Sequence, residues 1–193
     1  PVCWEKAMRM RGRVVGPLAL GLALVVARAH GQTESGIPPG TPEDVVGRLY
    51  ELVTFEAGHT PDWTEVRGLF LDEAVIVLRT SRDALSVLSV DGFVADFKAF
   101  IERANVGETG FSETIVTMRS MVFGDIAHIL VLYEASIPGS GRGPQQGVDS
   151  FQLIRSKEGW WVASVVNEVP TTARPVPLEL MPPGPAAPQA EEP

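Results

Sequence analysis

The chain is poor in the residues that carry the commonest chemistry. In 193 residues it has one cysteine, Cys3, three histidines and two tyrosines. A lone cysteine forms no intrachain disulfide and supplies no thiolate set for a metal. His30, His59 and His128 lie far apart and in no ligand spacing, so neither a metal nor a cofactor is expected. Basic residues are scarce too, 16 against 24 acids, for a net charge of −8. A surface of that sign repels phosphate backbones and anionic lipid, which excludes nucleic acid as a partner. No Gly-rich loop follows a strand and ends in Lys-Ser/Thr, since GSGRGPQ (139–145) falls between two strand patterns. No Gly-x-Ser-x-Gly elbow occurs either.

Long apolar runs are confined to one place. The 13 residues VVGPLALGLALVV (14–26) follow the basic stretch MRMRGR and precede the small-residue stretch ARAHGQ. This is the layout of a signal peptide, and the run is shorter than the roughly 20 residues that span a bilayer. Residues 1–31 therefore read as upstream residues plus a leader removed between Ala29 and Gln32, giving a secreted or periplasmic protein with no permanent membrane anchor. Cys3 leaves with the leader. What remains has 11 basic and 23 acidic residues, a net charge of about −12.

The rest reads as one domain over residues 41–170, after a Pro/Gly-rich linker at 32–40 and before a Pro-rich, largely disordered tail at 171–193. Thr41, Pro42 and Asp44 form a helix start with capping-box spacing, and Val45, Leu49, Leu52 and Val53 follow at helical period. Thr60, Pro61 and Asp62 repeat that start. AVIVLRT (74–80) and ALSVLSV (84–90) read as paired strands, and Asp91 as the cap of a third helix with Phe93, Val94, Phe97, Phe100 and Ile101 on one side. Four long strands follow, with Gly124-Asp125 and SKEG as hairpin turns. The order is helix, helix, strand, strand, helix, four strands, an α+β protein with three helices from its N-terminal half packed on an antiparallel sheet.

Three stretches carry a family resemblance: DWTEVRGLFLDEAVIV (62–77), FGDIAHILVLYE (123–134) and GVDSFQLIRSKEGWWVASV (147–165). With the element order they resemble the nuclear-transport-factor-2-like superfamily, which includes ketosteroid isomerase and the SnoaL-type cyclases. The likeness covers roughly residues 41–169 and consists of packing patterns, not a catalytic signature. It implies a cone, a strongly bent sheet closed by helices around a pocket.

Side chains alternate along a strand, so Asp149 shares a face with Phe151 and Leu153, poor company for a carboxylate. Counting back from the SKEG turn, with Ser156 opposite Trp160, sets Phe151 opposite Val165 and Asp149 opposite Asn167. The same alternation turns Ile129, Val131 and Tyr133 inward, with Val116 and Met118 from the strand before. The expected pocket is lined by Tyr133, Asn167, Phe151, Leu153, Val131, Ile129, Met118 and Leu78, around Asp149. His128 has the opposite parity and faces out, and His59 lies in a loop.

The resemblance implies more. Asp149 falls where the isomerase has an oxyanion-hole aspartic acid kept protonated by apolar surroundings, and Tyr50 falls near its oxyanion-hole tyrosine. Leu78 falls where that enzyme has its aspartate base, and leucine accepts no proton. The expected function is binding of a small apolar organic ligand without catalysis, in a homodimer formed through the exposed sheet face. Two alternatives stand beside it: a SnoaL- or isomerase-type enzyme using Asp149 and Tyr50 as catalytic groups, and a protein-interaction module.

Overall fold

The computed structural model describes residues 40–81 and 84–182. The leader, most of the linker and the last eleven residues of the tail lie outside the described residues. Helix α1 (Pro42–Val53) starts as the sequence predicts. The Thr41 hydroxyl accepts from the Asp44 amide at 3.2 Å, and the Asp44 carboxylate accepts from the Thr41 amide at 3.0 Å. Two other helix starts differ from expectation. Short α2 (Trp63–Arg67) is capped by Asp62, whose Oδ1 takes the Thr64 and Glu65 amides, and not by Thr60. Helix α3 (Val90–Ala104) is capped by Ser89, two residues before Asp91. In both cases the capping oxygen is the one that reaches unpaired amides of the first turn, two for Asp62 and one, that of Gly92, for Ser89.

The strands are β1 (Phe70–Ser81), β2 (Ala84–Leu88), β3 (Ser112–Phe123), β4 (Ile126–Ser136), β5 (Gln145–Ser156) and β6 (Gly159–Glu168). They form one sheet in the order β2-β1-β6-β5-β4-β3. The antiparallel expectation holds at every junction except β1 with β6, which run parallel and make the sheet mixed. The α+β class and the helix-on-sheet packing are as predicted. No helix among the described residues is long and apolar enough to cross a membrane.

Two bulges decide which side chains face the helices. The SKEG turn is one residue tighter than expected, so Ser156 pairs with Gly159 and Arg155 with Trp160. A bulge at Ala163 then restores the count, and the predicted pairs Phe151 with Val165 and Asp149 with Asn167 both form. On β3 the bulge lies at Val116, so Ile115, not Val116, stands opposite Tyr133 while Met118 stands opposite Val131.

The main core lies between the inner sheet face and the helices. Val45, Val46, Ile129, Val131, Phe151 and Val162 are at most 1 % exposed. A second cluster of Phe55, Val106 and Phe111 closes the other end, tied by Phe55 N–H to Phe111 O and Phe111 N–H to Phe55 O, both 2.9 Å. Gly110 makes that approach possible: it has φ +86°, and a Cβ there would stand 2.9 Å from the Phe55 oxygen.

Part of the expected tail is ordered. A 3₁₀ turn at Leu178–Leu180 lies against the outer face of β3 and β4, where Leu180 and Leu132 are both buried. The Arg119 guanidinium holds it by donating to the Glu179 carbonyl at 2.9 Å. Leu180 buries its side chain there, a tertiary contact that Pro-rich composition does not announce.

Candidate functional site

Between the sheet and α1 and α3 lies a cavity of about 420 Å³. That is enough for a small organic molecule. Its walls hold six of the eight phenylalanines (Phe70, Phe93, Phe97, Phe100, Phe111 and Phe151) and both tyrosines. On α3 the spacing of Phe93, Phe97 and Phe100 puts three rings on one face. Phe97 meets Phe93, Phe100 and Phe111 edge to face, with centroids 5.7 to 5.9 Å apart. Leu78 lines the cavity as expected.

At one end of this aromatic space sits a polar cluster. The Tyr50 hydroxyl, on α1, donates to Asp149 Oδ2 at 2.7 Å. Asn167, carried inward by the Ala163 bulge, donates through Nδ2 to Asp149 Oδ1 at 2.7 Å and to the Tyr133 hydroxyl at 3.0 Å. Tyr133 thus accepts from Asn167 and keeps its own proton to give. Its ring lies over Gly147, where a Cβ would collide with the Tyr133 ring and hydroxyl. Nothing in the sequence marks that glycine, because its reason is a tertiary contact with a residue on another strand.

The larger omission is Glu113. Alternation from Met118 turns Glu113 outward, but the Val116 bulge reverses the parity and puts it in the cavity wall. Its backbone is held by the Thr54 hydroxyl, which accepts from the Glu113 amide at 2.9 Å and donates to its carbonyl at 3.1 Å. Burial pushes the Glu113 carboxyl up to about 8, with the Asp149 charge adding to the shift. Asp149 is pushed up by burial to about 6, less far because Asn167 and Tyr50 bond its charged form. Burial raises both tyrosines as well, reinforced by the Asp149 charge.

The hydrogen bonds bear on one implication of the resemblance: both Asp149 oxygens accept, from Tyr50 and from Asn167, an arrangement that favours the charged form over a neutral acid. The Tyr50 proton is directed at Asp149 itself. Four predicted lining residues also move: Ile129, Val131, Leu153 and Met118 face inward as expected but pack in the core, away from the cavity. Parity gives the face of a side chain but not its distance along the strand from an open space. His128 faces outward as predicted, with Ser150 at 3.3 Å and Gln152 at 3.0 Å. His59 lies in its loop beside the Ala57 carbonyl. Among the described residues no three His, Cys, Asp or Glu side chains converge as a metal site would require.

Neither a protein-family model nor a curated protein sequence matches the chain. Solved structures do match. A nuclear-transport-factor-2-like protein with a cystatin-like fold from Novosphingobium aromaticivorans is 16% identical, with a TM-score of 0.54 over 68% of this chain and 82% of that one. A nuclear-transport-factor-2-like protein of unknown function from Pseudomonas putida is 12% identical, with a TM-score of 0.53 over 72% and 93%. A protein of unknown function with a cystatin-like fold from Nostoc punctiforme is 9% identical, with a TM-score of 0.51 over 69% and 96%. At these identities the likeness is one of fold: the chain has the nuclear-transport-factor-2-like cone fold.

Proposed function

We propose that this domain binds a small organic molecule with an apolar, ring-bearing body and one polar group, and holds it without transforming it. The observation that carries the reading is the cavity itself, about 420 Å³ walled by aromatic rings, with polar side chains gathered at one end. Burial against Phe97, Phe151 and Leu78 supplies affinity, and hydrogen bonds to Asp149, Asn167 and Tyr133 set orientation. Isomerase-type catalysis is the weaker reading. It needs a neutral Asp149 and a Tyr50 proton free for an oxyanion, whereas that proton is given to Asp149.

The test is native mass spectrometry of the purified domain with a thermal-shift screen of ring-bearing compounds. A bound small molecule or a stabilising hit is expected in the wild type and not in Asp149→Asn, which keeps the fold. A domain that carries nothing and responds to no compound overturns the reading. The same spectrum tests the proposed homodimer, for which Val75 and Val166, exposed on the outer sheet face, supply an apolar contact.

A further inference from the structure

The polar end of the cavity is short of positive charge. Asp149 receives its two hydrogen bonds from neutral groups, Tyr50 and Asn167. Among the described residues, the Glu113 carboxyl group has neither a hydrogen-bond nor an ion-pair partner, though its backbone is fixed by Thr54. Asp149 from β5 acts on it, and it acts in turn on Tyr50 from α1 and Tyr133 from β4. Three further charges line the cavity: Asp96 and Arg103 on α3, and Arg79 on β1. Asp96 and Arg103 are exposed, and neither is among the groups that shift Glu113 or Asp149. Arg79 is paired with Glu168 at 2.9 Å. Two carboxyl groups at one end of an aromatic-walled cavity, with no cation paired to them, are an incomplete electrostatic set.

The walls point the same way. The face of an aromatic ring carries negative electrostatic potential and attracts a cation within about 6 Å, more strongly where water is excluded. Eight such rings surround this space.

We propose that the molecule held in this cavity is an amine in its protonated state, its ammonium group seated between the Glu113 and Asp149 carboxylates and its apolar body against the phenylalanine rings. The inference rests on the ligand-binding reading of the same cavity and names the ligand's chemistry. An arriving cation supplies the charge that burial denies the two acids, and so favours their ionised forms. At pH 7 Glu113, pushed up to about 8, is still mostly protonated, so binding drives a proton from its carboxyl group to solvent. Affinity for a cation therefore rises with pH until Glu113 is ionised. A neutral carbonyl compound or an anion behaves in the opposite sense, because it is served by protonated acids and repelled by ionised ones.

Three one-ring probes of similar length separate these cases: benzyltrimethylammonium, whose charge does not titrate, neutral 4-phenylbutan-2-one and anionic 3-phenylpropanoate. Titration calorimetry on the full domain should show the cation binding at least tenfold more tightly than either other probe at pH 8. Its affinity should also rise at least tenfold between pH 6.5 and pH 9. At pH 7, repeating the measurement in buffers of different ionisation enthalpy should show net proton release, a readout that needs no variant. Glu113→Gln, close in shape, should abolish the proton release and the pH dependence. Tighter binding of the ketone or the anion, or cation binding that is flat with pH, overturns the amine assignment and leaves the binding reading intact. Failure of all three probes to bind overturns both.

Discussion

Replacing Tyr50 by phenylalanine removes one hydroxyl and with it the 2.7 Å bond to Asp149 Oδ2. A hydrogen bond to an ionised group contributes about 1.5–3 kcal/mol. One pKa unit corresponds to about 1.4 kcal/mol, so the loss should raise the Asp149 carboxyl by roughly one to two units above its value of about 6. The sign follows from which form the bond favours. Tyr50 stabilises the charged carboxylate, so the variant's stability deficit should be small at pH 5 and grow as pH rises through the Asp149 titration, reaching about 1.5–3 kcal/mol near pH 8.5. The assay is a ¹³C NMR titration of the Asp149 carboxyl carbon, with urea unfolding at the two pH values. Tyr133→Phe is the control, because that hydroxyl bonds Asn167 and not Asp149. An Asp149 titration within a few tenths of a unit of wild type, or one that moves down, refutes the assignment of Tyr50 as the group that holds this charge.

Two further predictions concern the same end of the molecule. Both carboxyls titrate higher in the fold than in an unfolded chain, so their stabilising contribution is full below about pH 4 and is lost as pH rises through about 6 and then about 8. Wild-type stability should therefore fall between pH 6 and pH 9 relative to Glu113→Gln, and parallel unfolding profiles would count against a buried Glu113. Gly147→Ala pushes a methyl group into the Tyr133 ring, and should cost about 1–3 kcal/mol and weaken any ligand held by Tyr133. An NMR spectrum with Tyr133 undisturbed would show that the ring can give way freely.

Much of the architecture was legible because local chemistry and the global fold agree. Thr41 with Asp44 capped a helix, apolar alternation marked the strands, and the hairpin turns set their order. The Asp149–Asn167 pair was also legible, although by a route with two compensating steps: a turn one residue tighter than assumed, and a bulge at Ala163 that gave the residue back. Glu113 was not legible. Its exposure to the cavity depends on the bulge at Val116, and nothing in SETIVTMRS distinguishes a bulged valine from a regular one. The aromatic wall was half legible, since helical spacing grouped Phe93, Phe97 and Phe100, but whether their rings fill a core or border a void depends on how far the helix stands from the sheet.

The bulge at Ala163 has a consequence for how such a domain can change. Before it, Trp160 and Val162 point inward; after it, Val165 and Asn167 do. The cavity's chemistry at this strand is set by a count of residues as much as by their kinds. Point substitutions at Asn167 can exchange one polar group for another and sample new ligands within the same scaffold. Deletion of Ala163 would take out only the extra residue and leave Val165 and Asn167 inside. Drawing Ala163 into the ladder as an ordinary strand residue would instead rotate Val165 and Asn167 to the outside and bring Val166 and Glu168 in. The domain can therefore drift in ligand preference by substitution and absorb a one-residue deletion at the bulge, while a slip of register beyond it would act as a jump between two different pockets.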